Sequence, residues 1–181
     1  MSEIETSHIT HNKNLPSKFQ RWFSNRGWKI YEHQLSMISE FKKGNSCLLI
    51  APTGSGKTLS GFLPSLIELC ELPFENKLKP KLHTLYISPL KALSVDVQRN
   101  LQIPITEMDL PILCETRTSD TSPKKRNRQK VKPPNILLTT PESVELMLAW
   151  PEAKNYFSNL STIIIDEIHS VIGNKRGDLL S

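Results

Sequence analysis

The sequence is poor in cysteine and has no long apolar segment. Only three cysteines occur among its 181 residues, and Cys47, Cys70 and Cys114 each stand alone in an apolar context. Single cysteines of this kind usually pack as small hydrophobic side chains, so we expect neither disulfides nor a thiolate metal site. No apolar run approaches the ~20 residues that a transmembrane helix needs, so we expect no membrane partner.

A secretory signal is also missing. The first residues, Met1-Ser2-Glu3-Ile4-Glu5, contain no basic segment followed by an apolar one. Together with the unpaired cysteines, this predicts a cytoplasmic location. We expect a flexible polar tail over residues 1–15 and one domain with its own core over residues 16–181. A net charge of +5 and a pI of about 9.1 favour a polyanionic partner.

Short apolar runs alternate with helical patterns through most of the chain. Strands are predicted at residues 47–50, 82–88, 112–116, 136–140 and 162–166. Helices are predicted at residues 17–27, 31–43, 57–72 and 91–101, and again after Pro141. Such alternation of buried strands with helices predicts an α/β fold whose mainly parallel, doubly wound sheet is covered on both faces.

A glycine-rich turn joins the first predicted strand to a helix. It reads Ala51-Pro52-Thr53-Gly54-Ser55-Gly56-Lys57-Thr58. Its glycines let backbone amides point at phosphate oxygens, and the helix N-terminus adds partial positive charge. Lys57 is expected to reach the β- and γ-phosphates of ATP, and Thr58 to offer a hydroxyl to Mg²⁺. The alternative is a simple turn with an exposed lysine, which the flanking strand and helix disfavour.

Two adjacent acids follow the clearest predicted strand, in the segment Asp166-Glu167-Ile168-His169. At a strand end, Asp166 is placed to hold the Mg²⁺ of a bound nucleotide. Glu167 is then placed to deprotonate the attacking water as a general base. Alone, such a pair is more often a solvated turn; the phosphate-binding loop earlier in the chain favours the catalytic interpretation.

Together these two segments resemble motifs I and II of superfamily 2 helicases. Three more segments agree: Tyr31-Glu32-His33-Gln34 resembles the Q-type motif, Ser88-Pro89-Leu90-Lys91-Ala92-Leu93 resembles motif Ia, and Thr139-Thr140-Pro141-Glu142-Ser143 resembles motif Ib. The resemblance implies a RecA-like P-loop NTPase that uses ATP and Mg²⁺. The nucleotide-binding residues it implies are Gln34, Thr53, Gly54, Ser55, Gly56, Lys57 and Thr58. The nucleic-acid contacts it implies are Pro89, Lys91, Thr118, Thr140 and Pro141.

A finer resemblance is to the large helicase-related (Lhr) family. It is carried by Arg117-Thr118-Ser119-Asp120-Thr121 and, after motif II, by Gly173-Asn174-Lys175-Arg176-Gly177. Segments 126–129 and 150–153 look most like its ligase-associated DEXH branch. This resemblance implies a 3′–5′ helicase of DNA repair acting on single-stranded or partly duplex DNA, with RNA left open as a partner. Ser119 departs from the family, which usually has Gly there.

Some side chains keep two interpretations. Trp28, Phe19 or Phe23 either stacks on the nucleotide base or packs in the core. The basic run from Lys124 to Lys132 either contacts phosphates or forms a solvated helix or loop.

The same holds near motifs Ib and II. Thr140 and Pro141 end a strand and start a helix, and the resemblance gives them a nucleic-acid role as well. His169 either couples the nucleotide state to the nucleic-acid side, as the resemblance implies, or is a hydrogen-bonded buried histidine.

The resemblance covers only part of a motor. Superfamily 2 helicases have two RecA-like domains, the second supplying an arginine finger, but the sequence stops at Ser181 without a motif III or a second domain. We expect that domain in cis or encoded downstream. In relatives the motif III strand separates the strands of motifs I and II, so truncation would leave two edges unpaired. Several unsatisfied backbone groups would cost on the order of 10 kcal/mol, comparable to a domain's whole stability.

Three functions therefore stay open. The chain is part of an ATP-dependent DNA helicase, or a module that binds ATP or nucleic acid without turnover, or an unrelated P-loop enzyme such as a small-molecule kinase. The helicase motifs disfavour the kinase. We expect negligible DNA-stimulated ATPase activity from the chain alone.

Overall fold

A computed structural model describes residues 15–52, 54–73 and 81–170. Within it the chain divides into two compact units, Met1–Pro64 and Ser65–Ser181. None of the described helices is long and apolar enough to cross a membrane.

The first unit is helical. It contains α1 (Ser17–Asn25), α2 (Glu32–Lys42) and the beginning of α3 (Lys57–Glu71). Buried side chains of α1 and α2 include Phe19, Trp22, Phe23 and Ile38, because they recur at helical spacing and so share one face of their helix.

One predicted strand is wrong. Residues 47–50 are not in a strand, and the side chains of Leu48 and Ile50 are 70% and 86% exposed. A strand is stabilised by hydrogen bonds to a neighbour, and no described strand is paired with this segment. Its apolar composition alone does not make it a strand.

The second unit is built on a parallel sheet. Its strands are β1 (Thr84–Ile87), β2 (Cys114–Arg117), β3 (Ile136–Thr139) and β4 (Thr162–Ile165), in the spatial order β2-β3-β1-β4. Its helices are α4 (Lys91–Glu107), α5 (Pro123–Val131), α6 (Pro141–Leu148) and α7 (Ala153–Tyr156), followed by a 3₁₀ turn at Ile168–Ser170. The predicted α/β fold with a parallel sheet is confirmed.

The centre of the sheet is fully covered. Every residue of β1 and β3 is buried. A hydrophobic cluster joins Leu85 and Ile87 of β1 to Leu137 of β3, and to Val144 and Met147 of α6. By contrast β4 pairs only with β1 among the described strands, and it exposes Ile163 and Ile165 by 57% and 41%.

One helix is longer than the sequence predicted. Helix α4 was predicted to end at Leu101, yet it continues through Pro104 to Glu107. Leu101, Pro104 and Ile105 are all buried on it, so packing outweighs the hydrogen bond that the proline removes. The basic run forms α5, which Ser122 caps by accepting a hydrogen bond from the Lys125 amide at 3.4 Å.

Candidate nucleotide-binding site and nucleic-acid edge

The glycine-rich turn leads directly into α3. Gly54 and Gly56 have φ angles of +80° and +76°, a region that residues with a side chain rarely adopt. The Lys57 ammonium donates a hydrogen bond to the Ala51 carbonyl at 2.6 Å, which ties the end of the turn to its beginning. Thr58 lies in the first turn of α3, and Thr53 lies outside the described residues. The turn therefore has the backbone and the cation expected of a phosphate-binding loop.

Helix α2 contacts this loop through the Q-type segment. Gln34 is only 2% exposed, and its side-chain oxygen accepts a hydrogen bond from the Tyr31 amide at 2.9 Å. Its amide nitrogen lies 3.0 Å from the point that a Cβ atom would occupy at Gly56, and the Tyr31 ring lies 3.6 Å from that point. His33 is 3.0 Å from the Ser55 carbonyl oxygen. Thus the structure brings Gln34 to the phosphate loop, while its contact with adenine stays a prediction.

The acid pair follows β4 as predicted. The Asp166 amide donates to the Ile87 carbonyl at 2.9 Å, which fixes the acid at the end of the strand. Its two carboxylate oxygens have separate donors: the Tyr86 hydroxyl at 2.5 Å and the Glu167 amide at 2.9 Å. Burial, and to a smaller degree the Asp166 hydrogen bond, raise the pKa of the Tyr86 phenol, so this hydroxyl keeps its proton and acts as the donor.

Glu167 occupies a strained turn. Its φ angle is +49°, and its carbonyl accepts hydrogen bonds from both the amide and the hydroxyl of Ser170 at 2.8 Å. Its carboxylate lies 3.3 Å from the His169 imidazole, whose side chain is 77% exposed. His169 is therefore not a buried histidine, which removes that interpretation. Non-glycine residues in this backbone region are uncommon and are found at functional sites.

The predicted nucleic-acid residues share one edge of the sheet with the acid pair. Each of them follows the carboxyl end of a strand: Pro89 and Lys91 after β1, Thr118 after β2, Thr140 and Pro141 after β3, and Asp166 after β4. Because the four strands are parallel, these ends lie along one edge, which we call the carboxyl edge. Ligands of open α/β sheets bind at such edges.

Only one of the five predicted nucleic-acid residues is exposed. Lys91 reaches into solvent and pairs with Asp120 at 2.9 Å, whereas Pro89, Thr118, Thr140 and Pro141 are buried. Thr118 shapes the turn that carries Asp120, since its hydroxyl accepts from the Asp120 amide at 3.3 Å. A cleft of about 580 Å³ opens beside this pair, and residues from α4, β2 and the turn before α5 line it.

The chemistry of the acid pair suits magnesium. Mg²⁺ prefers hard oxygen ligands and is commonly bound by one or two carboxylates together with substrate phosphates. Among the described residues, no group of three or more His, Cys, Asp or Glu side chains is placed to hold a metal ion. Asp166 and its surroundings fit an ion that arrives with a nucleotide.

The DEAD/DEAH box helicase family model matches residues 31–181. This range contains the loop, the acid pair and the carboxyl edge. The chain belongs to the DEAD/DEAH box helicase family. The match contradicts the small-molecule kinase alternative.

Among curated proteins, this helicase chain is similar to the Lhr helicases. It is 42% identical over 167 residues to the ATP-dependent helicase Lhr-Core of Sulfolobus acidocaldarius, a match that covers 89% of this chain and 19% of the relative. It is 39% identical over 168 residues to the Lhr helicase/probable uracil glycosylase of Mycolicibacterium smegmatis, covering 87% and 11%. These matches confirm the predicted resemblance to the Lhr family. The chain spans about a fifth or less of the length of these relatives.

Solved structures agree on the fold. The Mycobacterium smegmatis helicase Lhr bound to ssDNA and AMP-PNP superposes with a TM-score of 0.82 at 36% identity, covering 93% of this chain and 22% of that one. The DEAD-box helicase Mss116 bound to ssRNA and UDP-BeF gives a TM-score of 0.77 at 17% identity, covering 99% and 36%, which supports the fold alone. The structural neighbours of this chain are RecA-like helicase domains, as predicted.

The structure resolves the open aromatic assignments of this helicase domain in part. Phe19 and Phe23 are 0% and 5% exposed, so they pack in the core and are not available to stack on a base. Trp28 is 50% exposed and lies under the Arg26 guanidinium at 4.8 Å. Tyr31 is 49% exposed and, unlike these three, has its ring beside Gly56.

Some basic side chains of helix α5 form ion pairs and hydrogen bonds within the fold. Arg128 pairs with Glu115 at 2.6 Å, and Lys130 pairs with Glu152 at 3.0 Å. Arg126 donates to the Thr118 and Ser119 carbonyls of the turn before α5. Half of the six basic residues thus hold local structure, so neither the fully solvated nor the fully phosphate-binding interpretation describes the run.

Sequence reasoning missed Tyr86 and the residues around the loop. Tyr86 carries a polar group into an otherwise apolar buried strand, and a buried phenol needs a hydrogen-bond partner. The sequence therefore indicated that Tyr86 needs a partner, but it did not indicate that the partner is Asp166. No sequence pattern indicated the contact of His33 with the Ser55 carbonyl.

Proposed function

We propose that this chain is the ATP- and nucleic-acid-binding part of an ATP-dependent helicase of the Lhr type. The observation that carries the proposal is the close approach of Gln34 to Gly56, where an added Cβ would lie 3.0 Å from the Gln34 amide nitrogen. A phosphate loop alone serves many P-loop enzymes, whereas a buried glutamine against the loop suits a site that reads the base as well as the phosphates. Family membership and the similarity to named ATP-dependent helicases support the same conclusion.

Each motif residue has a proposed chemical role. Lys57 neutralises charge on the β- and γ-phosphates, and Glu167 takes a proton from the attacking water. Thr58 is proposed to offer a hydroxyl, and Asp166 a carboxylate oxygen, to Mg²⁺. The ion, when bound, neutralises charge that develops on the phosphate oxygens. Gln34 orients the adenine, and His169 couples the nucleotide state to the nucleic-acid side.

The carboxyl edge is the proposed nucleic-acid surface. Lys91 is an exposed cation there, and the chain carries a net charge of +5. We propose single-stranded or partly duplex DNA as the substrate, with 3′–5′ translocation in DNA repair, as in the ligase-associated branch that the sequence resembles. A cytoplasmic location is part of the same proposal.

The second candidate function is that of a binding module. It would bind ATP or nucleic acid and turn over nothing by itself. This alternative shares the nucleotide site and differs only in hydrolysis.

The test is titration of a fluorescent ATP analogue in Mg²⁺ with matched lysine variants. Lys57→Ala removes charge-assisted hydrogen bonds worth about 1.5–3 kcal/mol, so affinity should fall roughly 10- to 150-fold. Lys42→Ala removes an exposed lysine at the end of α2 and should change nothing. Equal affinity of Lys57→Ala and the parent chain would contradict the phosphate-loop assignment.

Phosphate release separates the two candidate functions. Turnover that single-stranded DNA stimulates, and that Glu167→Gln abolishes while binding persists, would identify a motor. Binding without turnover in the parent chain would identify the binding module.

A further inference from the structure

Tyr86 lies directly behind the predicted magnesium ligand. It is the third residue of β1, its side chain is 1% exposed, and its register partner on β4 is Ile164. Asp166 comes two residues after Ile164, and side chains two apart on a strand project to the same face. The Tyr86 side chain is long enough to follow that face to the carboxyl edge, where its hydroxyl meets the Asp166 carboxylate at 2.5 Å.

Two donors together fix the orientation of this carboxylate. Tyr86 donates to Oδ2, and the Glu167 amide donates to Oδ1 at 2.9 Å. An ionised carboxylate has about four lone-pair positions, so each oxygen keeps one for a further ligand. The backbone amide of the acid is also held, by its hydrogen bond to the Ile87 carbonyl. With rotation restricted, the remaining lone pairs keep a fixed orientation.

We propose that Tyr86 is a positioning residue that holds Asp166 in the orientation needed to bind Mg²⁺ with the nucleotide. This inference rests on the proposed function, because it assigns Asp166 to the metal. Groups that hydrogen-bond metal ligands set ligand orientation, and their loss typically lowers metal affinity 10- to 100-fold. Tyr86 is not placed in contact with the nucleotide or the ion.

The experiment measures how nucleotide affinity depends on Mg²⁺. For the full chain, a fluorescent ATP analogue is titrated in EDTA and then at increasing Mg²⁺. In Tyr86→Phe, the Mg²⁺ concentration that gives half of the full increase in nucleotide affinity should rise about tenfold or more. The nucleotide affinity measured in EDTA should stay unchanged. A midpoint within twofold of the parent chain would overturn the positioning role. A general structural defect would instead lower affinity in EDTA as well, which also counts against it.

Tyr156 gives a matched control. It is a second buried tyrosine of the same unit, 7% exposed, and its hydroxyl has no hydrogen-bond partner among the described residues. Tyr156→Phe should leave the Mg²⁺ midpoint unchanged. In an Asp166→Asn background, Tyr86→Phe should add nothing further, because the two changes act on one ligand. An additive loss there would show that Tyr86 acts elsewhere.

A second measurement needs no change at Tyr86. The chain has three tyrosines, so 3-fluorotyrosine labelling gives three ¹⁹F signals, and variants of Tyr31 and Tyr156 identify the remaining one. Adding Mg²⁺ to the nucleotide-saturated protein should shift the Tyr86 signal and leave that of Tyr156 in place. A stationary Tyr86 signal would overturn the inference. Absence of any Mg²⁺-dependent binding in the parent chain would overturn the proposed function together with it.

Discussion

Substitution of Gly56 by alanine tests the contact between the loop and the Q-type segment. The added Cβ would lie 3.0 Å from the Gln34 amide nitrogen and 3.6 Å from two carbons of the Tyr31 ring. The backbone at Gly56 also has a φ of +76°, where an alanine costs about 1–2 kcal/mol. Two effects therefore combine, backbone strain and displacement of Gln34.

Gly44 separates these effects. Its φ is +75°, nearly that of Gly56, and nothing lies within 4 Å of the Cβ that alanine would add. Both variants should lose about 1–2 kcal/mol of stability from backbone strain, which corresponds to roughly 2–4 °C of melting temperature per kcal/mol for a chain of this size. Only Gly56→Ala should also push Gln34 from its position.

The assay compares ATP and GTP affinities of the two variants in Mg²⁺. Gly56→Ala should weaken ATP binding and reduce the preference for ATP over GTP, because Gln34 is the proposed adenine contact. Gly44→Ala should keep both affinities within about twofold, since its strain lies outside the loop. If the two variants keep the same nucleotide preference while both fold, the contact between Gln34 and Gly56 is not part of base recognition.

Two further predictions concern charge. Lys91→Ala should weaken binding to single-stranded DNA and reduce the slope of log K against log[salt] by about 0.7, whereas Asp120→Asn should strengthen binding by releasing Lys91 from its 2.9 Å ion pair. Fluorescence anisotropy over a salt series measures both effects, with Lys154→Ala as the control. An unchanged slope for Lys91→Ala would remove Lys91 from the interface. Burial acts to raise the pKa of Glu115, but hydrogen bonds from Arg128 and Gln129 outweigh it and hold the pKa below the usual value of 4.5. A carboxyl group with a depressed pKa stabilises the fold at pH values above its unfolded-state pKa, and this contribution is lost as the pH falls below about 4.5. Glu115→Gln should therefore make the free energy of unfolding, measured with denaturant, fall less steeply on the acid side. The same pH dependence in the variant and the parent chain would contradict this.

The parts of the fold that sequence predicted best are those with local signals. The run Thr162–Ile165 is a strand as expected, because a short β-branched segment before polar residues favours one. Gly27 and Gly44, placed at predicted helix ends, both have positive φ there. The turn at residues 54–57 was readable because its glycines and lysine stand in a fixed spacing.

Features that depend on distant partners were not predictable. Residues 47–50 have strand composition, but pairing decides whether a strand forms, and composition does not supply a neighbour. Helix α4 extends beyond its predicted end, and Pro104 and Ile105 in the extension are buried, which the local sequence pattern did not indicate. In the site, the bond between Tyr86 and Asp166 joins positions 80 residues apart, and only the order of the strands brings them together.

Strand β1 touches two parts of the proposed machinery. Through Tyr86 and Ile87 it holds both the side chain and the backbone of Asp166, and a few residues later the same chain reaches Lys91. The strand has hydrogen-bonded neighbours on either side, and only residues 88–90 separate its carboxyl end from Lys91. Under the proposed function, a displacement of Asp166 on phosphate release would reach Lys91 through this short connection, so nucleotide site and nucleic-acid edge would respond together.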